Sequence, residues 1–232
     1  TNRFGDNWFI GAGGGINVFL NDGYKANIGP SIDAGLGKWF TPAVGMRIGY
    51  SGLNTNYWAD NPSVLGRTLD KEENRYQQKF GYMYIHGDFL WNMSDALGGY
   101  KETRFWDMVP YLHAGFFRAY GVDGASYHNN EIAAGAGMIH NLRLAERLDL
   151  VIDMKAIIVN GRVNGSEDVA LIPSVTMGFA VDMGWPNFVR TSSVIGALEA
   201  ASVDQIAALE AAAVALELAN ATLEQENLQL QN

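Results

Sequence analysis

Apolar and polar residues alternate along the chain up to about Gly184, and this period of two is the feature that most constrains the fold. Because successive side chains of a β-strand point to opposite faces, the alternation predicts strands with one apolar face. We count eight such segments of about ten residues, bounded by Gly, Asn, Asp or Pro. The predicted strands begin near Trp8, Ile28, Val44, Phe80, Trp106, Glu131, Asp149 and Leu171.

The composition of the two strand faces predicts an antiparallel up-and-down barrel that spans a membrane. The second face carries Gly, Ser, Tyr and charged residues, which are too small and polar for a dry core but suit a narrow lumen. Ten residues at a rise of ~3.3 Å and a tilt of ~40° cover about 25 Å, the height of an outer-membrane apolar band. The alternative is a soluble lipocalin-like barrel or sandwich, whose apolar face would pack inward.

The content of glycine and aromatic residues agrees with this class. The chain has 27 Gly, 6 Trp, 10 Tyr and 11 Phe, and no run approaches the roughly 18 uninterrupted apolar residues that a membrane-spanning helix needs. A helical membrane protein is therefore excluded. Four tryptophans near strand ends are expected to form an interfacial girdle, namely Trp8, Trp39, Trp91 and Trp106.

An even number of strands places both ends of the barrel on one side of the membrane. With both ends in the periplasm, the longer connections Leu53–Tyr76, Gly121–Asn130 and Asn160–Asp168 face the outside. The short turns Thr41-Pro42 and Arg143–Leu148 then face the periplasm. The sequence therefore predicts an outer-membrane protein of a Gram-negative bacterium with its tail in the periplasm.

Charged residues of both signs occupy the inward strand faces. A metal or catalytic site is one interpretation, but an eight-stranded lumen is normally filled by hydrogen-bonded charge pairs, so we predict a salt-bridged plug and no catalytic site. The predicted lumen network consists of Asp33, Arg47, His86, Asp88, His113, Glu131, Asp153 and Lys155.

The charge balance and the absence of cysteine exclude several functions. With 0 Cys there is no disulfide framework, thiol nucleophile or thiolate metal site, and no cofactor is predicted. The net charge is −9, and six acidic residues follow Arg190 with no Lys or Arg among them, so the barrel region carries only −3. Such a chain is unsuited to nucleic-acid binding.

From about Ser192 the apolar period becomes helical, which divides the chain into a barrel over 1–184, a linker over 185–191 and a periplasmic helical stalk over 192–232. Leucine recurs there every seven residues, which predicts a coiled coil that joins copies of this chain or of a close homologue. A trimer is favoured over a dimer, and the alternative is a single amphipathic linker helix. The predicted seam consists of Ile206, Leu209, Ala213, Leu216, Asn220, Leu223, Asn227 and Leu230.

Three stretches resemble one family. They are DNWFIG at 6–11, GKWFTP at 37–42 with GMR at 45–47, and YIHGD at 84–88. They are similar to the OmpA-like major outer-membrane proteins of the Bacteroidota. The resemblance implies a barrel followed by a linker and a periplasmic domain that binds peptidoglycan. This chain stops at Asn232, after the linker.

The resemblance predicts a structural anchor that ties the outer membrane to peptidoglycan through a module missing from this chain. Outer-membrane lipid and lipopolysaccharide are the other expected partners. A small diffusion pore is the first alternative, although eight strands leave room only for side chains. A lipid-modifying barrel enzyme is the second, but His128 has no nucleophile motif beside it.

Overall fold

The computed structural model describes residues 5–60, 65, 68–70, 74–101, 103–164 and 168–183. They belong to the first of two units of the chain, Thr1–Phe188. The strands described, in chain order, are β1 (Trp8–Val18), β2 (Lys25–Ala26), β3 (Ile28–Trp39), β4 (Val44–Ala59), β5 (Thr68–Asp70), β6 (Arg75–Trp91), β7 (Trp106–Gly121), β8 (His128–Ala145), β9 (Leu148–Asn160) and β10 (Val169–Met183).

Eight long strands form a closed antiparallel ring. Each of them pairs with the next long strand along the chain, and β1 pairs with both β3 and β10 to close the ring. The short strands β2 and β5 add to β4 and β6 at one end. We call this the loop end, and the opposite end, where β1 begins and β10 ends, the terminal end.

The predicted fold class, a barrel followed by a coiled-coil stalk, is wrong as stated. The described part of the chain is all-β with an eight-stranded ring, and it contains one short α-helix, α1 (Met93–Gly98), and no coiled coil. None of its helices has the length and apolar character needed to cross a membrane. The linker 185–191, the stalk 192–232 and its predicted seam lie outside the described residues, so the predicted self-association has no structural counterpart here.

The hairpin of β4 and β6 is longer than expected. The predicted loop Leu53–Tyr76 is partly strand, because β4 continues to Ala59 and β6 already begins at Arg75. The outward phase of this extension falls on polar residues, namely half-buried Asn54 and buried Asn56, whose amide donates to the Ile28 carbonyl. Such positions lack the apolar signal of a lipid-facing strand, which is why the alternation ends before the strands do.

Burial alternates along the eight strands as the sequence predicts. A band of large apolar side chains remains exposed around the ring, as an outer face in hydrocarbon requires. It includes Ile10, Ile32, Ile48, Ile85, Leu112, Ile132, Met154, Val175 and Phe179. Trp91 and Trp106 are exposed at the terminal end, but Trp39 belongs to an inner cluster and its ring lies 5.9 Å from that of Phe9. Trp39 therefore does not join the predicted girdle.

Candidate functional site: the barrel lumen

An arginine on β4 crosses the middle of the lumen between two carboxylates. Arg47 Nε donates to Asp88 Oδ2 at 2.5 Å, and Nη2 donates to Asp153 Oδ2 at 3.1 Å. The guanidinium carbon lies 5.0 Å from the ring centroid of Tyr111, whose hydroxyl donates to Asp153 Oδ1 at 2.5 Å. Since Arg47 and Asp88 are register partners on β4 and β6, while Asp153 lies on β9, Arg47 ties opposite walls of the barrel together.

A lysine on β9 makes the matching connection to β3 and β4. Lys155 Nζ donates to Asp33 Oδ1 and, at 2.7 Å, to Ser51 Oγ. Ser51 in turn donates to Asp33 Oδ1. Lys155 Nζ also lies 3.9 Å from Asp153 Oδ2. The side chain of Lys155 is fully buried, so these partners take the place of water around its charge.

His86 connects the contacts around Arg47 with the contacts around Lys155. Its Nδ1 lies 2.5 Å from Asp88 Oδ1, and its Nε2 lies 3.1 Å from Ser51 Oγ. The connected side chains are called the lumen ring below, and they are Asp33, Arg47, Ser51, His86, Asp88, Asp153 and Lys155. Six of the eight residues predicted for the lumen network are thus brought together.

The other two predicted residues lie outside the ring. His113 Nδ1 is 2.8 Å from the Tyr84 hydroxyl, and the His113 ring centroid is 5.7 Å from that of His86, so His113 is a neighbour of the ring. Glu131 is half-buried opposite Phe117, and it forms no hydrogen bond or ion pair with the described residues of the ring. Strand phase predicts which face a residue occupies, but not its height along the barrel axis.

Glycines opposite the two histidines make room for the imidazoles. A Cβ on Gly49 would lie 2.8 Å from His86 Nε2, and a Cβ on Gly135 would lie 2.9 Å from His113 Nε2. Sequence reasoning missed this role, as well as that of Ser51. In a sequence, both roles are indicated by an inward-facing glycine or serine on the strand next to the one that carries the histidine.

Above the ring, at the loop end, aromatic side chains fill the lumen. Phe19 stacks on Tyr57 with centroids 5.0 Å apart and meets Phe80 edge-on at 5.3 Å, and Tyr82 stacks on Phe117 at 5.4 Å. All five are fully buried. We call these five side chains the aromatic seal. It forms an apolar plug, whereas the sequence predicted a mainly polar lumen.

The connections at the loop end also contribute to this plug. Leu65 lies between β4 and β6, and Val163 lies in the 3₁₀ turn Gly161–Asn164 before β10, and both are buried in the same cluster. Tyr24 and Tyr127 pack against it from two further connections. Each of the four connections at the loop end therefore provides an apolar side chain that covers the lumen.

Below the ring the lumen contains space. A cavity of about 70 Å³ is lined by Asp33, Arg47 and His86 on one side and by apolar residues such as Phe9 and Leu90 on the other, and its size allows several water molecules. A second cavity of about 130 Å³ lies at the terminal mouth. Asn141, Asp149 and Asp182 line both cavities, among other residues.

The arrangement can close the barrel to solutes and hold buried charge. Among the described residues, no group of three or more His, Asp or Glu side chains is placed to hold a metal ion.

Some known proteins are similar to this chain in sequence, and others are similar to it in fold. The chain is 26% identical over 161 residues to outer membrane protein 41 of Porphyromonas gingivalis, which covers 67% of this chain and 38% of that protein. It is 24% identical over 164 residues to outer membrane protein 40 of the same organism, covering 65% and 40%. The chain thus matches about two fifths of the length of these relatives. No protein-family profile matches the sequence.

A solved structure confirms the type of fold. Neisserial surface protein A superposes with a TM-score of 0.54 at 10% identity, covering 76% of this chain and 97% of that protein. The eight-stranded ring, its apolar outer band and these relatives agree with the resemblance found in the sequence. The chain is thus a relative of outer membrane proteins 41 and 40 of Porphyromonas gingivalis, and its barrel lies in the outer membrane of a Gram-negative bacterium.

Proposed function

We propose that this barrel is a closed structural anchor in the outer membrane. The observation that carries the proposal is the packing of the lumen, where the aromatic seal lies directly above a charge-paired ring. An eight-stranded barrel has an interior only wide enough for side chains, and here the side chains occupy it at two levels. The outward apolar band provides the contact with lipid and, in the outer leaflet, with lipopolysaccharide.

The anchor needs a second attachment point, and we propose that peptidoglycan provides it. The matched relatives are more than twice as long as the segment they share with this chain. In the proposed full-length protein, a periplasmic module that follows the barrel binds peptidoglycan. The barrel then transmits load between the membrane and the cell wall.

Co-sedimentation with the cell wall tests the tether. The protein isolated from its native envelope is expected to have a mass well above 25.3 kDa and to sediment with purified peptidoglycan sacculi. The 232-residue chain in the same detergent is the matched control and should stay in the supernatant. A native protein of 25.3 kDa that remains soluble beside the sacculi would eliminate the tether.

We also propose that the loop end faces the outside, with the terminal end in the periplasm. The chain has no cysteine, so single cysteines can report each side without background. Asp123 and Glu146 are exposed acidic residues in turns at the loop end and the terminal end, respectively. Intact cells that carry Asp123→Cys should react with a membrane-impermeant maleimide, whereas Glu146→Cys should react only after lysis. The reverse pattern would invert the topology.

A further inference from the structure

The outer face of the barrel carries a shallow apolar depression of about 640 Å³. At its centre Ala12 of β1 and Ala34 of β3 are register partners, and both are exposed. Their neighbours in the same row of pairs are Phe179 of β10 and Tyr50 of β4, so larger side chains border the depression on both sides. The side chains that line it are apolar apart from the hydroxyl of Tyr50. In a membrane such a surface takes up a lipid chain or packs against another protein.

The depression rises obliquely toward the loop end. Strands of a barrel tilt relative to its axis, so a row of register partners climbs around the wall. The row starts at Phe179, four residues before the terminal end of β10, and passes through Ala12, Ala34 and Tyr50. It reaches Ile132, four residues after β8 begins at the loop end. The side of the depression at Tyr50 is therefore the one nearer to the loop end.

Two tyrosines lie flat against the wall on this side. The hydroxyl oxygen of Tyr50 lies 2.9 Å from the position of a Cβ on Gly52, and a Cβ on Gly81 would collide with the ring of Tyr120. Both glycines are buried, and the two phenol groups are close enough to interact electrostatically. Neither hydroxyl forms a hydrogen bond with the described residues, so both can donate one to a ligand.

An arginine lies beside the tyrosines on the same outer face. Arg118 is exposed on β7, two residues before Tyr120, and it forms no hydrogen bond or ion pair with the part of the chain that the structure describes. Its register partner Met83 on β6 is also the partner of Gly52 on β4. Two strand spacings, about 10 Å, therefore separate the backbone of Arg118 from the glycine under the Tyr50 hydroxyl. One anion between them can contact both the guanidinium group and the hydroxyls.

We propose that this outer face binds one lipopolysaccharide molecule, with a lipid A phosphate at Arg118 and the two tyrosine hydroxyls and an acyl chain in the depression. An arginine on the lipid side is tolerated near the interface, where a phosphate accepts its hydrogen bonds and balances its charge. The nearby Lys79 already has Asp123 as a counter-ion, 3.5 Å away.

Two arguments select this ligand. The proposed topology, on which the inference rests, places the loop end in the outer leaflet, where lipopolysaccharide lies. The apolar outer band of a second copy of the chain would also fill the depression, but it would leave Arg118 without an anion.

Native mass spectrometry of the folded chain in detergent micelles tests the phosphate site, with purified lipid A as the probe. One lipid A should bind per barrel. Arg118→Gln should weaken binding by roughly 10- to 100-fold, because hydrogen bonds to a charged group are lost. Arg162→Gln is the matched control, since it removes an exposed arginine elsewhere at the loop end, and it should bind as the wild type does. Equal affinities of the two variants for lipid A would overturn the proposal.

Dephosphorylated lipid A separates the headgroup from the acyl chains. It should bind the wild type more weakly than lipid A does, and its affinity should not change in Arg118→Gln. If removal of the phosphates left the affinity of the wild type unchanged, the role of Arg118 would be refuted.

Two substitutions of outward alanines test the depression. Ala34→Phe fills it, whereas Ala136→Phe adds the same ring to β8 on the opposite wall. Both variants should fold, because each ring projects into hydrocarbon, and urea titration checks this. Only Ala34→Phe should weaken the binding of lipid A. A barrel that binds no lipid A, but forms dimers that Ala34→Phe abolishes, would show that a second copy occupies this face.

The labelling of Asp123→Cys separates this inference from the proposed topology. If the maleimide reacts on intact cells and lipid A does not bind, the site is refuted and the topology stands. If the maleimide reacts only after lysis, the loop end lies in the periplasm, and the topology and the lipopolysaccharide site both fail.

Discussion

Arg47→Ala is expected to lower the free energy of unfolding by about 3 to 5 kcal/mol. The guanidinium group lies between Asp88 and Asp153, and its side chain is only 12% exposed. Removing it leaves two buried carboxylates without their main cation. The cost of these uncompensated buried charges is larger than the net stabilisation that the intact ion pairs provide. Urea unfolding of the folded chain in detergent micelles, followed by tryptophan fluorescence, measures the loss.

Arg162→Ala is the matched control for Arg47→Ala. Arg162 is exposed in the 3₁₀ turn at the loop end, and its backbone carbonyl, which the substitution keeps, accepts the hydrogen bonds from Tyr127 and Asn129. Its replacement should change the stability by less than about 0.5 kcal/mol. Equal losses for both variants would mean that Arg47 is solvated and that the lumen is open.

Phe80→Ala is expected to destabilise the barrel by about 3 to 5 kcal/mol, because it removes a ring from the centre of the aromatic seal. Phe80 is fully buried, and its ring meets Phe19 at 5.3 Å and Tyr57 at 6.4 Å. The cavity left behind also opens part of the seal. The same urea titration measures stability, and ion flux into vesicles that contain the variant measures the opening.

Phe89→Ala provides a control on the same strand. Phe89 faces outward and is 52% exposed, so its replacement only changes a contact with lipid. It should cost clearly less stability than Phe80→Ala and should leave ion flux unchanged. If Phe89→Ala were the more damaging change, the inward packing of Phe80 would be wrong.

The strand pattern predicts the barrel because two solvents act on its two faces. Ile85, Phe89 and Trp91 alternate with His86 and Asp88, and the structure exposes the first set and buries the second. Apolar and polar residues no longer alternate where the strands extend beyond the lipid. The parts of β4 and β6 at the loop end were therefore predicted as a loop. The short helix α1 was also missed, although Asn92 caps it by accepting a hydrogen bond from the Asp95 backbone.

The contents of the lumen were only partly predictable. The alternation of residues along the strands predicted Arg47, Asp88 and Asp153 on the inward face. The contact between Arg47 on β4 and Asp153 on β9, however, depends on the tilt and stagger of the whole barrel. The aromatic seal was missed for a different reason. Phe80 and Phe117 follow the inward phase of their strands, but a sequence gives no reason to separate a polar level from an apolar level.

Conductance across a planar lipid bilayer tests the central claim that the lumen is closed. The wild-type 232-residue chain should insert without steady single-channel currents, while Phe80→Ala should show more frequent ion leakage. Steady wild-type currents that persist unchanged in Phe80→Ala and Arg47→Ala would show a permanent aqueous path, and they would contradict a barrel closed by its seal and its charge ring.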